Sequence, residues 1–373
     1  MNDLPNNRWL HRFAVLTALA TLALIGIGGL VTSHEAGMSV PDWPTSYGYN
    51  MFFFPLSKWW HGGNIFYEHS HRLFASGVGF LTVILMVWLW IAEPRKWMRW
   101  LGVAAFLAVV LQGVLGGLRV ILFKDQIGIF HATLAQLFFV LTCAIALFTS
   151  KWWVGMANTQ HAPVLRSLGE GGTCNTVHSP SNLQKIFLGT TILILLQLIL
   201  GATMRHQHAG LSIRDFPLAY GKLWPATDAA SVAHYNQQRV EITNFNPITA
   251  FQIELQMVHR IVAVLILCAV AFCAWQAWRK FSWRSPAARL AAFWLGLILC
   301  QVALGAATIL SDKAADIATA HVLVGALSLA TGAMLSIIAL RFPQRAVSVS
   351  PSPALNLTDA MEAASAGKIP AAR

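Results

Sequence analysis

The chain has 373 residues, of which 56% are hydrophobic and 11% charged, with a formal net charge of +11. A soluble domain carries about 25% charged residues, so an ordinary soluble enzyme is excluded and a polytopic membrane protein is indicated. The positive charge falls in short segments between apolar runs and forms no patch, which argues against a nucleic-acid partner and matches the topogenic bias of membrane proteins.

A helical span needs about 20 apolar residues. On that basis eight spans are predicted, at 12–33, 67–92, 98–121, 129–150, 184–204, 252–278, 287–310 and 317–340. Basic residues precede span one (Arg8, Arg12) and follow span eight (Arg341, Arg345). They also fill the connections two–three (Arg95, Lys96, Arg99), four–five (Lys151, Arg166, Lys185) and six–seven (Arg279, Lys280, Arg284). With an even number of spans all of these lie on one side, so a multi-pass protein of the cell inner (plasma) membrane with both termini cytoplasmic is expected. No cleavable signal is expected from the first apolar run, and no Arg- and Ser-rich presequence precedes it. Four of the five cysteines lie within apolar runs and Cys174 in a polar linker, with no metal-binding spacing and no expected disulfide.

The chain repeats internally. Ala36-Gly-Met-Ser-Val-Pro-Asp-Trp-Pro-Thr-Ser-Tyr-Gly48 aligns with Ala209-Gly-Leu-Ser-Ile-Arg-Asp-Phe-Pro-Leu-Ala-Tyr-Gly221. Gln112-Gly-Val-Leu-Gly116 aligns with Gln301-Val-Ala-Leu-Gly305, and His71-Arg72 with His259-Arg260. Each half carries four spans and so has the same orientation. The expected fold is all-α: two four-helix bundles related by a pseudo-twofold axis along the membrane normal. The expected organisation is an N-terminal bundle at 1–150, a flexible Gly-, Ser- and Asn-rich cytoplasmic linker at 151–183, a C-terminal bundle at 184–342 and a disordered tail at 343–373.

Ionisable residues within spans are costly and mark function. His71 and His131 fall at the outer ends of spans two and four; His259 and His321 take the same places in the second half. Two imidazoles facing across a bundle at one depth are what six-coordinate heme iron requires, and each bundle offers one pair. Bare zinc fits less well, since only Glu68 adds a further ligand type. Glu68 and His71 share a helix face; the repeat of Glu68 is Gln256, which cannot accept a proton. Arg72, Arg119 and Arg260 lie near the same boundary as candidate contacts for heme propionates. His34, His61, His69, His206 and His208 read as solvated loop positions. The Asp42 and Asp215 turns read as turn-forming segments that also suggest a cover over each bundle. Gly28-Gly29 and Gly116-Gly117 read as close-packing positions between helices.

The Gly-Met-Ser-Val-Pro-Asp-Trp-Pro loop, Glu68-His-Ser-His-Arg72, Gln112-Gly-Val-Leu-Gly-Gly-Leu-Arg119, His131, His259-Arg260 and His321 together resemble the heme A synthase family over residues 10–342. The resemblance implies a heme-dependent oxidoreductase that converts a methyl group of heme O to a formyl group, giving heme A for terminal oxidase assembly. It implies a resident heme b on His259 and His321, and substrate heme O at His71 and His131 with Glu68 beside it. Heme O synthase, terminal oxidase assembly factors and an unidentified electron-transfer partner are the expected associates. Many bacterial members carry a cysteine pair in the first outer loop; the stretch Val40 to Ser46 has none. The chemistry agrees with the asymmetry of the halves: methyl to aldehyde removes four electrons in two steps, and attack by water needs a base such as Glu68. The alternative from another class is a diheme b-type membrane electron-transfer protein, with a heme carrier as a third option. Two hemes at one depth fit transmembrane electron transfer poorly.

Overall fold

The computed structural model describes residues 7–156, 182–239 and 247–340. Eight helices in it are long and apolar enough to cross a membrane. They are α1 (Arg8–Ser33), α2 (Asn64–Ala92), α3 (Lys96–Leu122), α4 (Asp125–Thr149), α5 (Asn182–His206), α6 (Ala250–Lys280), α7 (Pro286–Leu310) and α8 (Ala315–Ala339). All eight predicted spans are present, each within a few residues of its predicted limits. Most of the predicted linker (157–181) and the whole of the predicted tail (343–373) lie outside the described residues; 151–156 is helical.

The helix ends follow local chemistry. The Asn7 side chain accepts the Trp9 and Leu10 N–H groups at the start of α1. Thr249 and Gln252 form a reciprocal capping box at α6. Ser285 caps α7, with Pro286 in the first turn where its missing N–H costs nothing. Leu107, Leu196 and Val264 are among the exposed apolar side chains, as lipid-facing surfaces require.

Helix contacts close into two rings. In one, α1 packs on α2, α2 on α3, α3 on α4 and α4 on α1; in the other, α5, α6, α7 and α8 do the same. The rings meet where α1 touches α8, α4 touches α5, and α4 touches α8. Exchanging the halves leaves this list of contacts unchanged. Ile25, Phe139, Ala326 and Ala330 form the apolar contact at the seam.

Within each ring the packed core sits toward the end bearing the basic residues. In the first it contains Leu10, Ala14, Leu85, Leu89, Met98, Ala105, Ile145 and Ala146, from the start of α1 and α3 and the far parts of α2 and α4. The second core follows the same rule, with Phe187, Val270, Cys273, Trp294 and Leu335, and the Trp294 indole N–H donates to the Ser328 carbonyl at 2.8 Å. The opposite end, called here the loop end, carries the α1–α2 and α5–α6 connections and all four predicted heme histidines.

Candidate functional site: two histidine pairs beneath repeated loops

The repeated loops fold alike because their residues make the same bonds. Asp42 accepts the Tyr47 N–H at 2.6 Å and the Gly48 N–H at 2.8 Å; Asp215 accepts the Tyr220 and Gly221 N–H groups at 2.8 and 2.9 Å. Tyr47 and Tyr220 stand at φ 51° in both turns, and the following glycines at 76° and 74°, a region in which glycine alone is unstrained. The phenol of Tyr47 donates to the Ser39 carbonyl at 2.5 Å, and that of Tyr220 to the carbonyl of Ser212. Burial, then Tyr235 and Asp215, push the Tyr220 hydroxyl up to about 12, so it stays a donor. Burial would raise the Asp42 carboxyl, but the Gly48 N–H, the Thr45 hydroxyl and the Tyr47 N–H outweigh it and hold it below the usual carboxylate value. These are cover-forming contacts as well as turn chemistry: the Trp43 indole lies so close over Gly117 that a Cβ there would overlap it.

Each loop is tied to the helix that carries a candidate ligand. Arg72 donates to the carbonyls of Asp42 (2.7 Å), Thr45 (3.1 Å) and Val40 (2.8 Å), and to Glu68 Oε1 (2.7 Å). Arg260 donates to the carbonyls of Leu218 and Asp215, both at 2.9 Å, which are the repeat positions of Thr45 and Asp42. The terminal N–H groups of Arg72 are therefore all engaged by the loop and Glu68. Glu68 is buried, and its Oε2 accepts the Val40 N–H at 2.8 Å. Gln256, also buried, repeats the bond: its Oε1 accepts the Ile213 N–H at 2.8 Å, and its Nε2 donates to the Ile213 carbonyl at 3.1 Å.

Beneath the loops lie the histidines. His71 is within electrostatic reach of His131, and His259 of His321, so the predicted pairs are brought together. Each ring rests on a glycine of a neighbouring helix. A Cβ on Gly28 would stand 3.1 Å from His71 Cε1, on Gly116 3.4 Å from His131, on Gly201 3.4 Å from His259 and on Gly305 3.2 Å from His321. The glycines predicted as helix-packing positions thus seat imidazoles (Gly28, Gly116), the Thr319 side chain (Gly29) and the Trp43 indole (Gly117). Glutamines brace the backbone of two histidines: Gln112 Nε2 donates to the His131 carbonyl at 3.0 Å, and Gln197 Nε2 to that of His259 at 2.9 Å.

All four Nδ1 atoms are buried and without a hydrogen-bond partner. An orphaned buried imidazole is costly unless something takes up its nitrogen chemistry. Among the described residues no three His, Cys, Asp or Glu side chains cluster as a bare-ion site. A pair of imidazoles suits an iron that already carries four porphyrin nitrogens, so the residues present fit a heme at either pair.

Three residues differ from the sequence reading or were missed by it. His69 and His206, read as solvated loop positions, are buried. His69 shares a 3.2 Å contact with the Ser46 hydroxyl and packs against Phe54 and Trp59; the His206 ring sits over Gly128. Arg205, not singled out, lies at the end of α5 and donates to the Gly29 carbonyl at 2.7 Å and to the Ser33 hydroxyl of α1. The available signal was a break in the repeat, since the aligned loops put Thr32 and Ser33 where the second half has Arg205 and His206.

Residues 11–332 match the COX15-CtaA family model, described as cytochrome oxidase assembly protein. The chain is 24% identical over 348 residues to the heme A synthase of Brucella ovis, covering 84% of this chain and 86% of that protein. The same figures hold for that of Brucella suis, and the heme A synthase of Brucella anthropi is 23% identical over 347 residues with the same coverage. These relatives favour the synthase reading over the electron-carrier alternative. With its family match spanning all eight membrane helices, the chain belongs to the COX15-CtaA family of cytochrome oxidase assembly proteins.

Proposed function

We propose that this protein is a heme A synthase, oxidising a methyl group of heme O to a formyl group. The observation that carries the reading is the pair of equivalent sites, four buried imidazoles each seated on a glycine with Nδ1 unpartnered, in a chain whose relatives bear that name. In this reading His259 and His321 hold a resident heme b, and His71 and His131 receive heme O. Bound at the second pair, heme b supplies one-electron redox chemistry. The two halves are taken as pseudo-twofold related, which places both pairs at one depth under matching loops.

The chain's own groups supply binding, orientation and proton handling. Gly28 and Gly116 leave room for the rings of His71 and His131 to stand at fixed angles. The Trp43 indole packs onto Gly117 beside the first pair, and Arg72 clamps the loop that carries it. Glu68 is the proposed proton acceptor; charge-assisted bonds from Arg72 and the Val40 N–H fix its direction. Gln256 holds its loop by the same backbone bond without a group that can take a proton, which suits a second site that only carries electrons. Arg119 is the proposed propionate contact at the first site, lying within electrostatic reach of both His71 and His131. Arg260 keeps its Nε free for that role at the second site, while Arg72 serves the loop.

The basic ends of the helices support a reading with both termini on the cytoplasmic side of the cell membrane. Heme O synthase and terminal oxidase assembly factors are the proposed upstream and downstream partners. The test is extraction and chromatography of hemes from cells that make heme O and express this chain, beside the pyridine hemochrome spectrum of the purified protein. Heme A in the cells with a b-type pigment on the protein supports the reading; an unchanged heme O pool overturns it.

A further inference from the structure

A hollow of about 410 Å³ lies at the basic end of the first bundle, at the opposite end from the four candidate heme ligands. It is lined by Arg8, His11 and Arg12 of α1 and by Ser150, Lys151 and Trp152, which follow α4. Packing and hydrogen bonds fix its walls. His11 Nδ1 donates to the Ala146 carbonyl of α4 at 3.0 Å, and Leu10 and Ala14 pack with Ile145 and Ala146 in the core. Ser150 shapes the end of α4: its hydroxyl donates to the Leu147 carbonyl at 2.6 Å and accepts the Trp153 N–H at 3.2 Å.

Three cations line this hollow without a carboxylate. Among the described residues the side chains of Arg8, Arg12 and Lys151 make no ion pair and donate no hydrogen bond; the two guanidiniums rest against the Trp9 ring, 5.8 and 5.0 Å from its centroid. Arg95, at the same end of the bundle, shows the contrast, since it pairs with Glu93 at 2.7 Å and donates to the Phe148 carbonyl at 3.0 Å. The placing of the arginines is unfavourable in two ways. Arg8 and Arg12 stand four apart on one helix face, where like charges repel. They also occupy the start of α1, whose dipole favours an anion, and no acidic residue stands in that turn. Topogenesis accounts for the sign of these charges and not for their gathering with Lys151 around one hollow. Trp9 and Trp152 are exposed beside it, and tryptophan settles at the level of lipid headgroups.

We propose that this hollow binds the phosphate of an anionic membrane phospholipid, with Arg8, Arg12 and Lys151 on the headgroup and Trp9 and Trp152 beside the start of the acyl chains. A guanidinium fork suits a phosphate diester, and a basic recess between membrane helices at the headgroup level is the surface such lipids recognise. A phosphate there removes the repulsion between Arg8 and Arg12 and supplies the anion that the start of α1 lacks. It also joins α1 to the end of α4, the two helices of the first bundle that touch α8 of the second. The inference is independent of the heme reading. Both leaflets present phosphate, so it is independent of sidedness as well.

The test uses the full-length protein purified in detergent and titrated with phosphatidylglycerol, or with phosphatidylcholine in its place, bound lipid being counted by native mass spectrometry. The parent is expected to prefer phosphatidylglycerol by about tenfold or more, since each cation near an anionic headgroup is worth about fivefold. Lys151→Gln should lower that preference about fivefold, and the double variant Arg8→Gln, Arg12→Gln should bring it near parity. Lys280→Gln with Arg284→Gln removes the same charge from the basic end of the second bundle, and should change the preference by less than about twofold. The preference is a ratio within one preparation, so a general loss of stability does not move it. If the double arginine variant fails to accumulate, Lys151→Gln carries the test. A parent-like preference in every hollow variant obtained, or a parent that binds the two lipids equally, overturns the proposal. So does an equal loss in the Lys280 and Arg284 control, which would trace the preference to overall charge. Inorganic phosphate at matched ionic strength is expected to leave the lipid in place; displacement at millimolar concentration assigns the hollow to a soluble phosphate and overturns the lipid assignment.

Discussion

The Glu68 carboxylate accepts the Val40 N–H at 2.8 Å, tying the helix of the first histidine pair to the loop above it. Gln256 makes the same bond to Ile213 in the second half, so the strut does not require a carboxylate. Glu68→Gln is therefore expected to fold, keep its loop and keep its resident heme, while heme A formation falls about 100-fold, the usual worth of a general base. Heme O or its alcohol should accumulate in extracts analysed by chromatography. Undiminished heme A would leave Glu68 only its mechanical role. Glu68→Ala differs, because it leaves the Val40 N–H buried without an acceptor at a cost of about 1–3 kcal/mol, read as a lower melting temperature.

The two histidine pairs should separate by spectrum. His259→Ala or His321→Ala is expected to remove most of the b-type absorbance of the purified protein. His71→Ala or His131→Ala should leave that absorbance in place and abolish heme A. A full b-type spectrum in both second-pair variants would show that the resident pigment is held elsewhere.

The glycine seats give a ranked prediction. An added Cβ would stand 3.1 Å from the His71 ring at Gly28 and 3.2 Å from the His321 ring at Gly305, tighter than ordinary contact, but 3.4 Å from its ring at Gly116 and Gly201. Gly28→Ala should lower heme A yield more than Gly116→Ala. Gly305→Ala should shift the resident heme spectrum more than Gly201→Ala. Overpacking of this kind costs about 1–3 kcal/mol where the neighbour cannot move. Equal behaviour within each pair would show that the rings shift freely.

Asp42 makes the first loop acid-sensitive. Its carboxyl is held below the ordinary value of 3.8, so its contribution to holding the loop is present above that value and is lost as pH falls through the lowered one. Hydrogen-exchange protection of the Tyr47 and Gly48 amides should be high at neutral pH and fall in that acid range. Asp42→Asn should lower protection at neutral pH and remove the acid step. A parent whose protection does not change in acid would disconnect the carboxylate from the loop's order.

The spans and the equivalent placing of four histidines beneath the loops were legible because apolar length and repeat alignment are local signals. The partners of Arg205 were not: they lie 176 and 172 residues away on another helix, and no periodicity reports what crosses a seam. The burial of His69 was hidden for a related reason, since its cover comes from Ser46, Phe54 and Trp59 in a connection that doubles back over α2. Arg72 reads from the sequence as a candidate propionate contact, but three of its four terminal bonds go to loop carbonyls and the fourth to Glu68, and sequence identity says nothing of which carbonyls a loop will turn inward.

The cores of both rings are packed toward the basic end, while the histidines, their glycine seats and Arg205 occupy the loop end. Insertion and helix association can therefore run to completion on side chains that never touch a porphyrin. Such a chain can stand assembled in the membrane before any pigment of the proposed kind is bound. Variants that lose heme should then still accumulate as inserted protein, so the colour of a preparation reports the site and its abundance reports the scaffold.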